Sequence, residues 1–267
     1  MSQEEWAFDC QGQGPDLLLL HGLGASSFSW RGNVAPLSRH FRVWTLDLPG
    51  HGASPAPLDA DYRPEALAQG VMQFLDRRAL SKVAVAGNSL GGSLALLLAR
   101  DHPQRVTALI LLAPAVALTR IPWIFYPLRL PGLGGLFAAL MGPWVMPLAL
   151  RLAYHRRELI TPQVVAGYAA PFRDWRRRLA LQRLCRQVRL QPLNEIEAWL
   201  QSVRQPTVII WGQEDRILPV GQAYWLQARL PQARLNLLPD VGHAPQEEAP
   251  EAVNKIIIAF LGASLKN

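Results

Sequence analysis

The stretch Lys82-Val83-Ala84-Val85-Ala86-Gly87-Asn88-Ser89-Leu90-Gly91-Gly92 decides the fold of this chain. Residues 82–86 form an apolar run typical of a buried strand, and an apolar helical stretch begins at Ser93. Between them, Gly87–Gly91 fits the pattern G-x-S-x-G. In a strand–turn–helix context this pattern predicts a serine on a sharp turn with its hydroxyl exposed. The glycines keep side chains out of the turn, and the helix N-terminus presents N–H groups where negative charge develops.

Further apolar runs repeat this alternation along the chain. Strands are predicted at 16–22, 41–47, 106–112, 206–212 and 234–238, and helices at 64–79, 93–100 and 250–261. Continuous apolar strands that alternate with helices are typical of a parallel sheet covered on both faces. The predicted fold class is therefore α/β, with a mostly parallel, doubly wound sheet.

Residues 115–200 interrupt the alternation, and we call them the insertion. They contain no convincing strand, so the predicted organisation is a core in two parts, 1–114 and 201–267, with a helical cap at 115–200. Within the insertion, Leu130–Leu150 has no charged residue and is long enough to span a membrane. Prolines and four glycines interrupt this segment, which also lies between two core strands. A buried or substrate-facing lid is therefore the favoured interpretation.

The charge of the chain is unevenly distributed. The 267 residues carry a formal charge of +7, but the insertion has twelve arginines against four acidic residues, and the remainder carries −1. No nucleic-acid recognition motif accompanies this charge, so no nucleic-acid partner is expected. Cys10 and Cys185 fit no metal-binding pattern, and neither a metal nor a cofactor is expected. The acidic, polar N-terminus has no leader-like pattern, so the expected compartment is the cytoplasm.

A serine nucleophile needs a base and an acid that orients the base. Asp215 follows the predicted strand at 206–212, and His243 follows the predicted strand at 234–238. Both residues therefore belong at the edge of the sheet where ligands bind in parallel α/β folds. The order Ser89, Asp215, His243 along the chain is the order expected for this type of turn. The three residues are the predicted catalytic triad.

Other polar residues near these positions receive different interpretations. Glu214 is a rival to Asp215 as the acid, with a solvated loop carboxylate as its alternative role. His21 and His51 lie in glycine-containing loops and are interpreted as structural.

A tetrahedral intermediate also needs two N–H donors aimed at its oxygen. Leu90 directly follows the predicted nucleophile, so its backbone N–H is one candidate. His21-Gly22-Leu23-Gly24 follows the first core strand, and the backbone N–H of Leu23 is the other candidate. Together they form the predicted oxyanion hole.

These motifs together resemble one family of proteins. The matching stretches are His21-Gly22, Asp47–Ser54, Gly87–Gly92, Trp211–Asp215 and Gly242-His243. They resemble the α/β-hydrolase fold superfamily, in its branch with a serine nucleophile and a helical cap. The resemblance implies that Ser89 is the nucleophile, His243 the base and Asp215 the orienting acid. It does not specify the substrate, because one fold hosts many reactions.

Hydrolysis of carboxylic esters through an acyl-enzyme is the first functional hypothesis. Serine at position 89 argues against epoxide hydrolases and haloalkane dehalogenases, which resemble this chain but use an aspartate. Carbon–carbon bond hydrolases of ring-cleavage products share the Gly-Asn-Ser element, although many have tryptophan where this chain has Ala244. Cofactor-free perhydrolases and haloperoxidases share the triad, so these two activities remain as alternative hypotheses. A non-catalytic binding or accessory protein on the same fold is the alternative from another class.

The insertion is expected to set specificity. Its first half is predicted to line a pocket for an apolar or amphiphilic small-molecule ester through Trp123, Phe125, Phe137, Met141 and Trp144. Its second half is rich in arginine, which is typical of a solvated outer face. Weak contact with a membrane surface through the basic insertion stays open as a further hypothesis. The sequence indicates no particular oligomeric state.

Overall fold

The computed structural model describes residues 5–118 and 121–264. A seven-stranded sheet lies at its centre, in the order β1-β3-β2-β4-β5-β6-β7. Its strands are β1 (Phe8–Gln11), β2 (Asp16–Leu20), β3 (Arg42–Leu46), β4 (Val83–Asn88), β5 (Val106–Leu112), β6 (Thr207–Gly212) and β7 (Ala233–Leu238). Strands β2 to β7 pair in parallel, and only β1 runs antiparallel to its neighbour, β3. The predicted α/β class with a mostly parallel sheet is confirmed.

Strand β1 was not predicted from the sequence. It lies at the edge of the sheet and alternates half-buried with exposed residues, Phe8 to Gln11. An edge strand has no need of a continuous apolar run, because only part of its surface is covered. Strands β2 to β6 are mostly buried, and their apolar runs made them recognisable in the sequence. Strand β7, at the other edge, is half-buried, but its leucines Leu235, Leu237 and Leu238 still gave an apolar pattern.

Helices cover both faces of the sheet and also fill the insertion. In chain order they are α1 (Val34–Leu37), α2 (Pro64–Arg77), α3 (Leu90–Asp101), α4 (Tyr126–Arg129), α5 (Gly134–Leu140), α6 (Met146–Ala153), α7 (Pro162–Ala169), α8 (Trp175–Gln187), α9 (Leu193–Leu200), α10 (Gly221–Gln227), α11 (Pro245–Glu248) and α12 (Pro250–Ser264).

The side chains of β2 show how the sheet separates two cores. Leu18 and Leu20 point to one face and pack in a cluster with α2, α3 and α10. Leu17 and Leu19 point to the other face and pack with α1 and α12. All four side chains are completely buried, and each such burial contributes about 1.5–3 kcal/mol. The sheet is therefore wound on both sides, as the apolar strands predict.

The described part of the insertion consists of helices joined by turns and loops, and it contains no strand. Helices α4 to α9 follow one another between β5 and β6, and short 3-10 turns join several of them. They enclose a small core of their own, which includes Leu128, Ala138, Leu150 and Leu181. Because β5 pairs directly with β6, the whole insertion leaves and rejoins the sheet between adjacent strands. The chain leaves the sheet at the carboxyl end of β5 and, because β5 and β6 run parallel, re-enters it after α9 at the amino end of β6.

Candidate active site

Ser89 occupies the turn between β4 and α3. Its backbone has φ 51° and ψ −113°, a conformation that costs a non-glycine residue about 1–3 kcal/mol. A Cβ on Gly87 would overlap the Gly91 backbone, and a Cβ on Gly91 would overlap the Leu20 carbonyl group. Only glycine therefore fits on either side of the serine. Helix α3 begins at Leu90 rather than at the predicted Ser93, because its first turn contains Gly91 and Gly92, which have low helix propensity and hid the start in the sequence.

Asp215 and His243 meet beyond the carboxyl ends of β6 and β7. The Nδ1 atom of His243 lies 2.7 Å from Oδ2 of Asp215, and both residues are buried. The other carboxylate oxygen of Asp215 accepts backbone N–H bonds of 2.8 Å from Ile217 and Leu218. An aspartate so bonded accepts the proton of Nδ1, which leaves Nε2 as the basic nitrogen of the ring. Glu214, the rival acid, has an exposed side chain.

Asn88 connects the serine turn to the histidine loop. Its side-chain amide donates hydrogen bonds of 3.1 Å to the backbone oxygens of Leu112 and His243. The backbone N–H of Ser89 also donates to Leu112, at 2.9 Å. The buried side chain of Asn88, the residue before the predicted nucleophile, is thus bonded to the backbone of the predicted base.

Ser89 and His243 line a single cavity of about 710 Å³. Leu23 and Leu90, the two predicted oxyanion-hole residues, line it as well. No acceptor for either backbone N–H is found in the described part of the chain, and Leu90 is the first residue of its helix. A Cβ on Gly22 would come within 3.1–3.2 Å of Asn88 and Ser89, so this glycine lets the Leu23 loop approach the serine turn.

The two histidines of the glycine loops are buried and held in place. Nε2 of His21 accepts the backbone N–H of Leu48 at 3.0 Å, and Nδ1 lies 2.8 Å from the Gly22 oxygen. This pairing fits a neutral ring that carries its proton on Nδ1. Burial lowers the pKa of His21, and it lowers the pKa of His51 to about 3. Neutral, buried rings beneath the site suit the structural roles expected for both residues.

The insertion supplies much of the cavity wall. Of the five pocket residues expected from the sequence, Trp123, Phe125 and Met141 line the cavity. Phe137 and Trp144 lie outside the lining, and the Trp144 side chain is 71% exposed. Charged side chains at the rim include Arg63, Glu65, Arg189 and Glu195. The lining is therefore mostly apolar and aromatic, although it includes the buried side chain of Glu247, and its exposed residues include charged ones.

Glu248 ties the insertion to the histidine loop, a role that the sequence did not indicate. Its buried carboxylate accepts backbone N–H bonds from Gly242 at 2.9 Å, from His155 at 2.8 Å and from Arg156 at 2.9 Å. The backbone N–H of His243 donates to the Ala153 oxygen at 2.7 Å. The loop before His243 is thus bonded directly to the segment that follows α6.

The neighbouring carboxylate forms a second connection. Glu247 accepts hydrogen bonds from Tyr168 of α7 and from Arg31 of the core. Burial raises the pKa of Glu247 despite the opposing charge of Arg31. Two consecutive residues of α11 therefore hold the insertion against the core, beginning four residues after His243.

The fold and this site define the class of protein. A family model described as the alpha/beta hydrolase family matches residues 17–256, and the chain belongs to that family. A solved alpha/beta hydrolase fold protein from Burkholderia ambifaria superposes with a TM-score of 0.86 at 26% identity, covering 97% of this chain and 95% of the other.

Two curated relatives with named activities are similar over most of the chain. A pimeloyl-[acyl-carrier protein] methyl ester esterase from Nitrosomonas europaea is 34% identical over 90% of this chain and 93% of its own length. A 2-hydroxy-6-oxo-6-phenylhexa-2,4-dienoate hydrolase from Burkholderia cepacia is 28% identical over 94% of this chain and 88% of its own length. Both relatives are hydrolases, one named for an ester and one for a dienoate.

Proposed function

We propose that this hydrolase cleaves carboxylic esters through an acyl-enzyme on Ser89. The observation that carries the proposal is the hydrogen bond of 2.7 Å between His243 and Asp215, in a cavity that Ser89 also lines. This pairing orients Nε2 of His243 as a base for the serine hydroxyl. The similarity to a methyl ester esterase supports the choice of an ester as the scissile bond.

The proposed reaction has two halves. In the first, His243 takes the Ser89 proton as the oxygen attacks the ester carbonyl, and then passes that proton to the departing alcohol. In the second, His243 takes a proton from water as the water oxygen attacks the acyl-enzyme, and then returns that proton to the Ser89 oxygen as the acid leaves. The backbone N–H groups of Leu23 and Leu90 stabilise the oxyanion in both halves. Asp215 stays ionised and stabilises the protonated imidazole.

The cavity wall favours an apolar or amphiphilic substrate. Trp123, Phe125 and Met141 present apolar surface toward the interior, and the described lining inside the rim is mostly hydrophobic. Such a wall favours acyl or alkyl groups through burial of their surface, at about 25 cal/mol per Å². The charged rim leaves room for a polar group on the part of the substrate that extends outward.

A series of p-nitrophenyl esters of rising acyl length tests this function. The unmodified chain should hydrolyse the series, and Ser89→Ala should lose about 10⁶-fold in kcat, because the attacking oxygen is gone. Ser81→Ala, at an exposed serine that does not line the cavity, is the matched control and should keep most of the activity. Equal rates for Ser89→Ala and the unmodified chain would contradict the proposal.

Hydrolysis of a carbon–carbon bond is the second candidate, favoured by the similarity to the dienoate hydrolase. The same triad would serve it, but the substrate would be a ring-cleavage product rather than an ester. Turnover of such a dienoate without turnover of any p-nitrophenyl ester would select this candidate. Turnover of the esters alone would select the first.

A further inference from the structure

The insertion exposes an unusual amount of apolar surface. In the described residues, nine of the twelve exposed large hydrophobic side chains lie between positions 123 and 148. We call these nine the apolar patch; its most prominent members include Trp123, Leu140, Trp144 and Leu148, which are 61–71% exposed. Contiguous exposed apolar surface in a water-soluble domain usually marks a site of contact with a partner or a membrane.

Apart from Trp123 and Leu148, which also line the cavity, this surface is not the inner face of the insertion. Helices α4, α5 and α6 already bury Leu128, Ala138 and Leu150 against their own core. The patch lies on their outer side, so these helices are apolar on both faces. A surface helix in water normally carries polar residues outside. From position 130 to position 150 the sequence has no charged residue at all.

Exposed arginines lie on α6 and α8, helices that carry or adjoin the patch. Helix α8 packs against α4 and α5 and exposes Arg176 and Arg186, and Arg151 lies on α6 three residues after Leu148. None of these three arginines forms an ion pair with a carboxylate in the described ranges 5–118 and 121–264. A second copy of the chain would bring the same positive charges face to face. An anionic lipid surface would neutralise them.

We propose that the apolar patch docks the protein on an anionic membrane surface. Trp123, Tyr126 and Trp144 would sit at the level of the lipid headgroups, where amphipathic aromatic rings are favoured. The leucines of α5 would enter the acyl boundary, and the flanking arginines would contact phosphate groups. Among the described helices, none alone is long and apolar enough to cross a bilayer. One pair of described segments, Trp123–Arg129 and Gly134–Leu140, reaches that length and apolarity together, but the two are bent by 111°.

The patch also adjoins the cavity. Trp123 and Leu148 belong to the exposed patch and to the cavity lining at once. Docking through the patch would therefore place the cavity wall against lipid, so that an amphiphilic ester could enter without crossing water. This consequence rests on the proposed ester hydrolysis, whereas the docking itself does not.

Co-sedimentation of the full chain with vesicles tests the docking. We expect binding to phosphatidylcholine vesicles that contain phosphatidylglycerol, with weaker binding as salt rises. The double variant Leu140→Ser/Trp144→Ser should lower the partition coefficient about tenfold or more, because two large apolar side chains no longer enter the lipid. Neither residue lines the cavity, and both are exposed, so the variant should fold, as circular dichroism can verify.

Two controls separate docking from other effects. Tyr224→Ser removes an exposed aromatic ring on α10, away from the patch, and should bind vesicles like the unmodified chain. Ser89→Ala should also bind fully, so a failure of hydrolysis and a failure of docking are told apart. Absence of binding at low salt, or equal binding by the double variant, would overturn the proposal. So would a dimer that the double variant dissociates, in a chain that binds no vesicles.

Discussion

The candidate active site in the core, here called the core site, and the insertion differ in which side chains they bury and which they expose. At the core site the key polar groups are buried and paired: Asp215 accepts three hydrogen bonds, and Asn88 bridges the serine turn to the histidine loop. In the insertion, large apolar side chains such as Leu140 and Trp144 stand exposed. The first arrangement holds individual polar atoms in place through hydrogen bonds. The second fixes only the kind of surface that is presented, which suits control of access rather than chemistry.

Replacing the orienting acid should cause the largest effect in this comparison. Asp215→Asn presents an amide to Nδ1 of His243 and favours the wrong ring tautomer. By analogy with the same change in a serine protease triad, kcat should fall about 10⁴-fold. Steady-state hydrolysis of the best p-nitrophenyl ester measures it. Glu214→Gln, at the exposed neighbour, is the matched control, and a loss of similar size there would assign the acid to Glu214.

Because histidines are buried near the site, the free energy of unfolding should depend on pH. The pKa of His51 is lowered to about 3 by burial, so the unfolded chain binds a proton below pH 6.5 that the folded chain does not. This contribution to stability is present above pH 6.5 and is lost as pH falls toward 3, by about 4–5 kcal/mol in all. His51→Asn should flatten the dependence of the unfolding free energy on pH over that range.

Urea denaturation at a series of pH values provides that measurement. His40→Asn, at a histidine that is exposed to solvent in the folded protein, is the control for the loss of a histidine side chain. If the unfolding free energy of His51→Asn depended on pH as it does in the unmodified chain, other groups would be responsible for the loss of stability at acid pH.

Glu248 links the core site to the insertion, so its substitution should lower kcat and leave substrate binding largely intact. In Glu248→Gln an amide nitrogen faces one of three backbone N–H donors, and the loop before His243 loosens from the insertion. We expect kcat to fall about 10- to 100-fold with a much smaller change in KM. Glu251→Gln, on the exposed side of α12, is the control. A change in KM alone would show that Glu248 acts on substrate binding instead.

The smallest effect should come from the pocket wall. Met141 lines the cavity, so Met141→Trp should fill part of it and reduce kcat/KM several-fold more for long acyl chains than for short ones. Phe137→Trp, in the same part of the insertion but outside the lining, should leave the length profile unaltered. The acyl-length series measures both variants. Identical profiles for Met141→Trp and the unmodified chain would place the acyl group elsewhere.

The sequence was informative where backbone geometry restricts the residue type. The turn at Ser89 tolerates only glycine at positions 87 and 91, so the pattern G-x-S-x-G can be recognised in the sequence. Glu248 was missed because its partners are backbone N–H groups, which any residue supplies. Edge strand β1 was missed because partial burial leaves no apolar run.

The lining of the insertion could not be read for a different reason. Helices that are apolar on both faces show no periodicity that separates inside from outside. Phe137 and Met141 therefore looked equivalent in the sequence, although only Met141 reaches the cavity in the structure. The contacts that separate them are made by elements distant in the chain, such as α8.

The most direct test of the central claim is covalent labelling by a fluorophosphonate probe, read out by mass spectrometry of the digested protein. An activated serine displaces fluoride from the probe and keeps the phosphonyl group. We expect a single modification on Ser89 that is absent from Ser89→Ala and strongly slowed in His243→Ala. A folded chain that stays unlabelled, or a label on another serine with Ser89 unmodified, would contradict it.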